Sequence, residues 1–184
     1  MPPPAEKWDL GGNKTCFFGY VAAELALQNF MESKKYKSLR LKHFDYSSDG
    51  YYFITICTFQ KQKVIDNLYR QLLKRVLISM ESRFTGMNLD YYVFMGNHCH
   101  IIIRLIKSKV GLSKIVQTFK SITAVKIRKM GFKGEYFWQK NYYEHVIRND
   151  KELNMIREYV RHNSEKEKYL LQEKASKLAS YGVK

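Results

Sequence analysis

His98 and His100 stand two residues apart in the run Met95-Gly96-Asn97-His98-Cys99-His100, and Tyr159 and Asn163 stand four apart further along. On an extended strand, residues two apart leave the same face. Two neutral imidazoles side by side offer lone pairs to a cation and make a natural metal-binding pair. The plain alternative is a pair of surface histidines at a strand start; the scarcity of histidine and the basic neighbourhood favour the ligand pair. On a helix, residues four apart stack on one side, which places Asn163 beside Tyr159. By spacing alone a helical tyrosine is most often a half-buried ring with a wet hydroxyl.

These residues need elements to hold them. Tyr51 to Phe59 is β-branched and aromatic, follows Asp49-Gly50, and predicts a strand. Asp66 can cap a helix with Leu68, Leu72, Val76 and Met80 on its apolar stripe, ending before Gly86. Asn88 to Met95 and His98 to Ile106 predict two strands joined by a tight turn at Gly96-Asn97. A second helix carries Leu112, Ile115, Val116, Phe119 and Ile122 and ends at Gly131. Tyr142 to Ile147 predicts a fourth strand. A third helix, from about Asp150 to Asn163, buries Leu153, Ile156 and Val160. The order β-α-β-β-α-β predicts an α+β, ferredoxin-like split βαβ fold with an antiparallel sheet, plus a C-terminal helix carrying Tyr159. Two connecting helices cover one sheet face and leave the other open. Cys99, Ile101, Ile103 and Leu105 then point to the helices; His98, His100 and Arg104 point to the open face.

Outside this unit, residues 1–36 open with three prolines and Gly11-Gly12 and hold a candidate helix from Tyr20 to Met31. They are an N-terminal extension with no assigned role. Residues 37–164 form the patterned domain, and 165–184 a basic, Lys-rich tail that can continue as helix.

With 32 Lys and Arg against 17 Asp and Glu, the net charge is +15, which points to a polyanionic partner, nucleic acid first. No acidic residue occurs from Tyr91 to Gly134, a stretch that can track phosphates. Fourteen Tyr and eleven Phe add faces on which bases could stack, although many of them must be core. Cys16, Cys57 and Cys99 match no zinc module; Cys57 and Cys99 lie in apolar runs and are expected to be buried thiols of a reducing cytosol. No run of 18 or more apolar residues suggests a membrane span.

The histidine hairpin resembles the His-hydrophobic-His motif of the HUH endonucleases. More closely, the chain resembles the REP-associated tyrosine transposases, relatives of the small insertion-sequence transposases with one catalytic tyrosine. The similar segments are Leu39-Arg40-Leu41-Lys42 through Asp45-Tyr46, Tyr51 to Cys57, the histidine hairpin, Phe137-Trp138-Gln139-Lys140, Tyr142 to Arg148, and Glu158-Tyr159-Val160 with Asn163. Together they span roughly residues 37 to 164. The histidine pair is a weak motif alone; in order with the Trp-Gln segment and the Tyr-x-x-x-Asn helix it is strong. Gly96 and Ser164 stand where the family usually has proline, and Cys99 fills its bulky middle position.

The resemblance implies that His98 and His100 are paired metal ligands, that Tyr159 is the nucleophile, and that Asn163 completes the metal site. It implies Mg²⁺ or Mn²⁺, and cleavage and rejoining of single-stranded DNA near hairpins through a 5′-phosphotyrosine. Arg104, Lys107, Lys109, Lys114, Lys120, Trp138, Lys140, His145 and Arg148 are the candidate DNA contacts. The implied setting is the bacterial cytoplasm, at the nucleoid. In such transposases the tyrosine helices can act in cis or in trans of a homodimer, and the sequence leaves both open. A rival of another class is a non-catalytic protein that binds DNA or RNA hairpins on the same scaffold; it has no need of His98, His100, Tyr159 and Asn163 together, and no aromatic RNP-type motif lies on the predicted strands. A replication initiator or relaxase nickase is the third candidate; such proteins tend to be larger and to carry further ligands or tyrosines.

Overall fold

The computed structural model describes residues 45–181. The N-terminal extension, its candidate helix and Cys16 lie outside the described residues. The described elements are β1 (Gly50–Cys57), α1 (Asn67–Arg83), β2 (Met87–Phe94), β3 (His98–Leu105), α2 (Leu112–Lys129), β4 (Tyr143–Ile147) and α3 (Asp150–Tyr181). The strands form one sheet in the order β2-β3-β1-β4, and every neighbouring pair is antiparallel. This is the expected split βαβ arrangement.

Strand alternation sorts the side chains into two apolar layers. Tyr52, Ile54 and Ile56 of β1 and Cys99, Ile101, Ile103 and Leu105 of β3 meet α1 and α2 in the larger one. The opposite face was expected to be open. Instead Phe53, Val93 and Ile102 pack there against Leu153, Ile156 and Val160 of α3, and all six are buried. The apolar stripe of α3 needs cover, and the free sheet face is the surface that provides it. That docking brings Tyr159 over the sheet.

Asp66 caps α1 as expected, its side chain accepting from the Tyr69 N–H at 2.8 Å. The buried stripe of α1 is Leu72, Leu73, Val76, Leu77 and Met80, whereas Leu68 is 56% exposed. The spacing i, i+4 drifts by about 40° per step at 3.6 residues per turn. Over three steps from Met80, Leu68 has rotated out of the core. Helix α3 is 32 residues long and runs through Ser164 without interruption. A proline there, as in the family pattern, would remove a helical N–H and crowd the preceding turn.

Gly86 joins α1 to β2 with φ +86°, and a Cβ on it would lie 2.3 Å from the Ile106 carbonyl oxygen. That carbonyl belongs to the backbone of the β3–α2 connection, so it cannot swing away as a side-chain tip could. Gly86→Ala is expected to destabilise the domain by at least about 2 kcal/mol. Thermal unfolding followed by circular dichroism should show a midpoint lower by roughly 5 °C; an unchanged midpoint would mean that the turn relaxes freely.

Candidate active site

His98 opens β3 opposite Cys57, and His100 lies opposite Thr55 of β1 and Val93 of β2. Their side chains share a face, as the spacing required, and their Nε2 atoms approach to 3.2 Å. His100 is 2% exposed. Its ring stacks on Phe53, with centroids 5.3 Å apart and planes 26° apart. From α3, the Tyr159 hydroxyl comes within 3.5 Å of His100 Nε2, and its ring stands edge-on to Phe53. Three polar atoms from β3 and α3 thus converge.

Both imidazoles are held neutral. Burial pushes His98 down to about 4, and the positive charge of Lys61 acts in the same direction. His100 lies well below the usual histidine value, through burial first and the neighbouring His98 second. Neutral rings keep their lone pairs for a cation, so the donor set suits a metal ion. Among the described residues there is no group of three or more His, Cys, Asp or Glu placed to hold a metal. Among the described residues, a third side-chain donor to such an ion would be an amide or a hydroxyl. Asn163 is buried one turn beyond Tyr159, and its Nδ2 donates to the Tyr159 carbonyl at 2.9 Å.

The pose of α3 is set by polar ties as well as by its apolar stripe. Arg157 forks onto Asp90, with Nε and Nη2 at 2.8 and 2.7 Å from the two carboxylate oxygens. Asp90 falls at a register shift between Leu89 and Tyr91 in the β2–β3 ladder. Such a bulge frees one residue from the ladder and re-aims its side chain, here toward α3. At the helix start, Asn149 Oδ1 accepts from the Glu152 N–H at 2.9 Å and acts as the cap. Glu152 in turn receives the Arg148 N–H and contacts His145 Nε2 at 2.7 Å. Burial raises the Glu152 carboxyl, yet these two hydrogen bonds together with nearby positive charge, Arg148 included, hold the group below its usual value.

The candidate DNA contacts fare unevenly. Trp138 is 6% exposed and packs in the larger core layer, with its indole N–H donating to Thr123 Oγ1 at 2.8 Å. A ring buried in this way offers no face to a base. Lys120 is half-buried and gives its ammonium to the carbonyls of Gln139 and Lys140 at 2.5 and 2.9 Å, and His145 is engaged by Glu152. Lys120 and His145 thus tie loops and elements together. Thr123→Val should leave the Trp138 N–H without its partner in the core. It is expected to cost about 1–3 kcal/mol, read as a lower denaturation midpoint with an unchanged slope.

Arg104, Lys107, Lys109, Lys114, Lys140 and Arg148 are exposed. Lys114 lies in the first turn of α2, and strand register divides the other five. Leu105 pairs with Gly50 and Ile147 with Tyr51, so Arg104, Lys107, Lys109 and Arg148 gather at the sheet end away from His98. The Arg104 guanidinium sits 5.2 Å from the Tyr51 ring centroid. Lys140 falls at the His98 end, since Thr58 bridges Trp138 and the Gln139 N–H meets the Cys57 carbonyl. Six strand residues separate the two ends, about 20 Å.

The structure adds residues that the sequence did not single out. Thr55 Oγ1 lies 2.8 Å from His100 Nδ1, and Asn97 Oδ1 lies 2.6 Å from His98 Nδ1. Asn97 sits next to the histidine pair and could have been suspected on that ground. Thr55 could not, because its partner is 45 residues away. Cys99 is fully buried as expected, whereas Cys57 is only partly so.

Residues 46–163, the span from the first described turn through Asn163, match the family described as transposase, IS200 like. The chain belongs to the IS200-like transposases. Membership makes it a transposase, of a class of enzymes that cut DNA. An uncharacterised protein of Haemophilus influenzae (strain ATCC 51907 / DSM 11121 / KW20 / Rd) is 31% identical over 159 residues, covering 69% of this chain and 87% of that protein. Among solved structures, a REP-associated tyrosine transposase bound to a REP hairpin has a TM-score of 0.57 at 20% identity, over 71% of this chain and 74% of that one. A transposase-like protein of Deinococcus radiodurans R1 is 16% identical, with a TM-score of 0.49, over 67% of this chain and 97% of that one. The first of these solved structures shares the antiparallel sheet and helices of the tyrosine transposase fold. No helix among the described residues is long and apolar enough to cross a membrane.

Proposed function

We propose that this transposase cuts and rejoins single-stranded DNA beside hairpins, with Tyr159 as nucleophile and His98, His100 and Asn163 holding a divalent cation, Mg²⁺ or Mn²⁺. The observation that carries this is the Tyr159 hydroxyl 3.5 Å from His100 Nε2, which itself lies 3.2 Å from His98 Nε2. A merely structural tyrosine has no reason to stand beside two converging imidazole Nε2 atoms in a basic protein. The solved relative described as bound to a REP hairpin supports hairpin DNA as the partner.

The chemistry follows from the residues. A bound divalent cation supplies positive charge that polarises the scissile phosphate and eases loss of the phenol proton, whose ordinary pKa is near ~10. Tyr159 Oη forms a bond to phosphorus as the bond to the 3′ oxygen breaks, which leaves a 5′-phosphotyrosine and a free 3′-hydroxyl. The covalent link conserves the bond energy, so a 3′-hydroxyl can reverse the step and join strands without ATP. Phe53 fixes both the His100 and Tyr159 rings, and the Asp90–Arg157 fork holds α3 at the right height. Within one chain the Tyr159 hydroxyl already reaches His100 Nε2, the arrangement that attack in cis uses. The exposed lysines and arginines at the two sheet ends are suited to a strand that spans the sheet. Such an enzyme works in the cytoplasm, at the nucleoid.

The test is labelled single-stranded DNA carrying hairpins, incubated with Mn²⁺ or Mg²⁺ or with a chelator and run on a denaturing gel. A covalent protein–DNA adduct that depends on metal is expected. Tight binding to a varied pool of hairpins without any adduct would instead make the chain a non-catalytic hairpin-binding protein.

A further inference from the structure

The two histidines are held from behind by different partners, and the difference has chemical content. Asn97 Nδ2 reaches the Lys61 carbonyl at 3.3 Å, and that oxygen can only accept. This orients the amide, so Asn97 Oδ1 faces His98 Nδ1 at 2.6 Å. An amide oxygen also only accepts, so the His98 proton must sit on Nδ1, and Nε2 is left with a bare lone pair. Lys61 is placed for this by a left-handed backbone, φ 55°, next to Gln60 at φ 53°. Two consecutive non-glycine residues in that region mark a local cost that the surroundings must hold in place.

Thr55 differs from Asn97 because a hydroxyl both donates and accepts. With His98 Nε2 bare and 3.2 Å away, His100 Nε2 is best protonated in the metal-free protein and donates to it. His100 Nδ1 then accepts from the Thr55 hydroxyl at 2.8 Å. When a cation takes both Nε2 atoms, the His100 proton must relocate to Nδ1. The Thr55 hydroxyl can turn and accept it without breaking the contact.

Resting on the metal-site reading above, we propose that Asn97 and Thr55 are positioning residues for the cation: Asn97, locked by the Lys61 carbonyl, fixes His98 in a single tautomer, and Thr55 lets His100 exchange tautomers as the ion binds. Outer partners of this kind commonly change metal affinity by about 10–100-fold. The inference extends to side chains that the histidine motif does not contain, and Thr55 comes from a different strand.

The experiment has two readouts on the full chain. The first is ¹⁵N NMR of the imidazoles without metal. It is expected to show His98 protonated on Nδ1 and His100 on Nε2, with Asn97→Ala giving mixed His98 tautomers. The second is Mn²⁺ titration followed by electron paramagnetic resonance. Thr55→Val and Asn97→Ala should each raise the Mn²⁺ Kd about tenfold or more, and Thr55→Ser, which keeps the hydroxyl, should restore it. Circular dichroism checks that each variant is folded, and the serine variant keeps the test decisive if the valine variant is not. Equal Kd values in the folded variants, or His98 protonated on Nε2, would overturn the inference. If the wild type binds no Mn²⁺, the metal-site reading falls and the ion-linked exchange of His100 falls with it.

Discussion

Tyr159→Phe is expected to abolish the covalent adduct and to lower strand cleavage by at least about 10⁴-fold, as removal of a catalytic nucleophile commonly does. The fold should survive. The Tyr159 ring meets Phe53 edge-on at 6.2 Å and His100 at 5.3 Å, and a phenylalanine ring keeps both contacts. The hydroxyl lies 3.5 Å from His100 Nε2, at the limit of a hydrogen bond. Its loss should therefore shift stability by no more than about 1 kcal/mol. Adduct formation on denaturing gels and a melting curve of the same preparation separate the two effects. Cleavage that persists in this variant would assign the nucleophile elsewhere.

The second large effect is expected for His100→Leu. On the proposed chemistry it removes one of two imidazole donors, and metal-dependent adduct formation should fall by more than about 100-fold, beyond what the loss of an outer partner costs. Stability should fall by about 1–3 kcal/mol, because the buried Thr55 hydroxyl loses its partner. His100 is 2% exposed, with its ring against those of Phe53 and Tyr159. A leucine of similar volume fits the same space, so the domain should still fold, but it offers Thr55 no hydrogen bond. The loss of function would then far exceed what so modest a loss of stability explains. The measurements are the Mn²⁺ Kd, the adduct yield and the melting temperature. An unaltered Kd would remove His100 from the ligand set.

Much of this was legible before any coordinates. Strand alternation in Cys99, Ile101, Ile103 and Leu105 required the two histidines to share the opposite face, because side chains on a strand alternate with period two. The element order and the turn residues sufficed for the split βαβ fold. Leu153, Ile156 and Val160 marked the buried side of the last helix, with Tyr159 one residue before its end. The order of the motifs carried the resemblance, and residues 46–163 match the family.

Periodicity is local, however, and several outcomes are not. The sequence says that α3 has an apolar stripe but not which surface takes it. The tertiary structure alone shows that stripe closing the face expected to be open, which buries His100 and sets Tyr159 beside it. The bulge at Asp90 that receives Arg157 spans 67 residues, and the Thr55–His100 contact spans 45. Trp138 and Lys120 have the composition of nucleic-acid contacts, yet the core and the loop carbonyls claim them. Residue type and spacing determine which side chains can do chemistry and on which side of an element they stand. Which of them meet is decided by long-range packing, because burial, desolvation and hydrogen-bond partnership arise only once distant segments share a core.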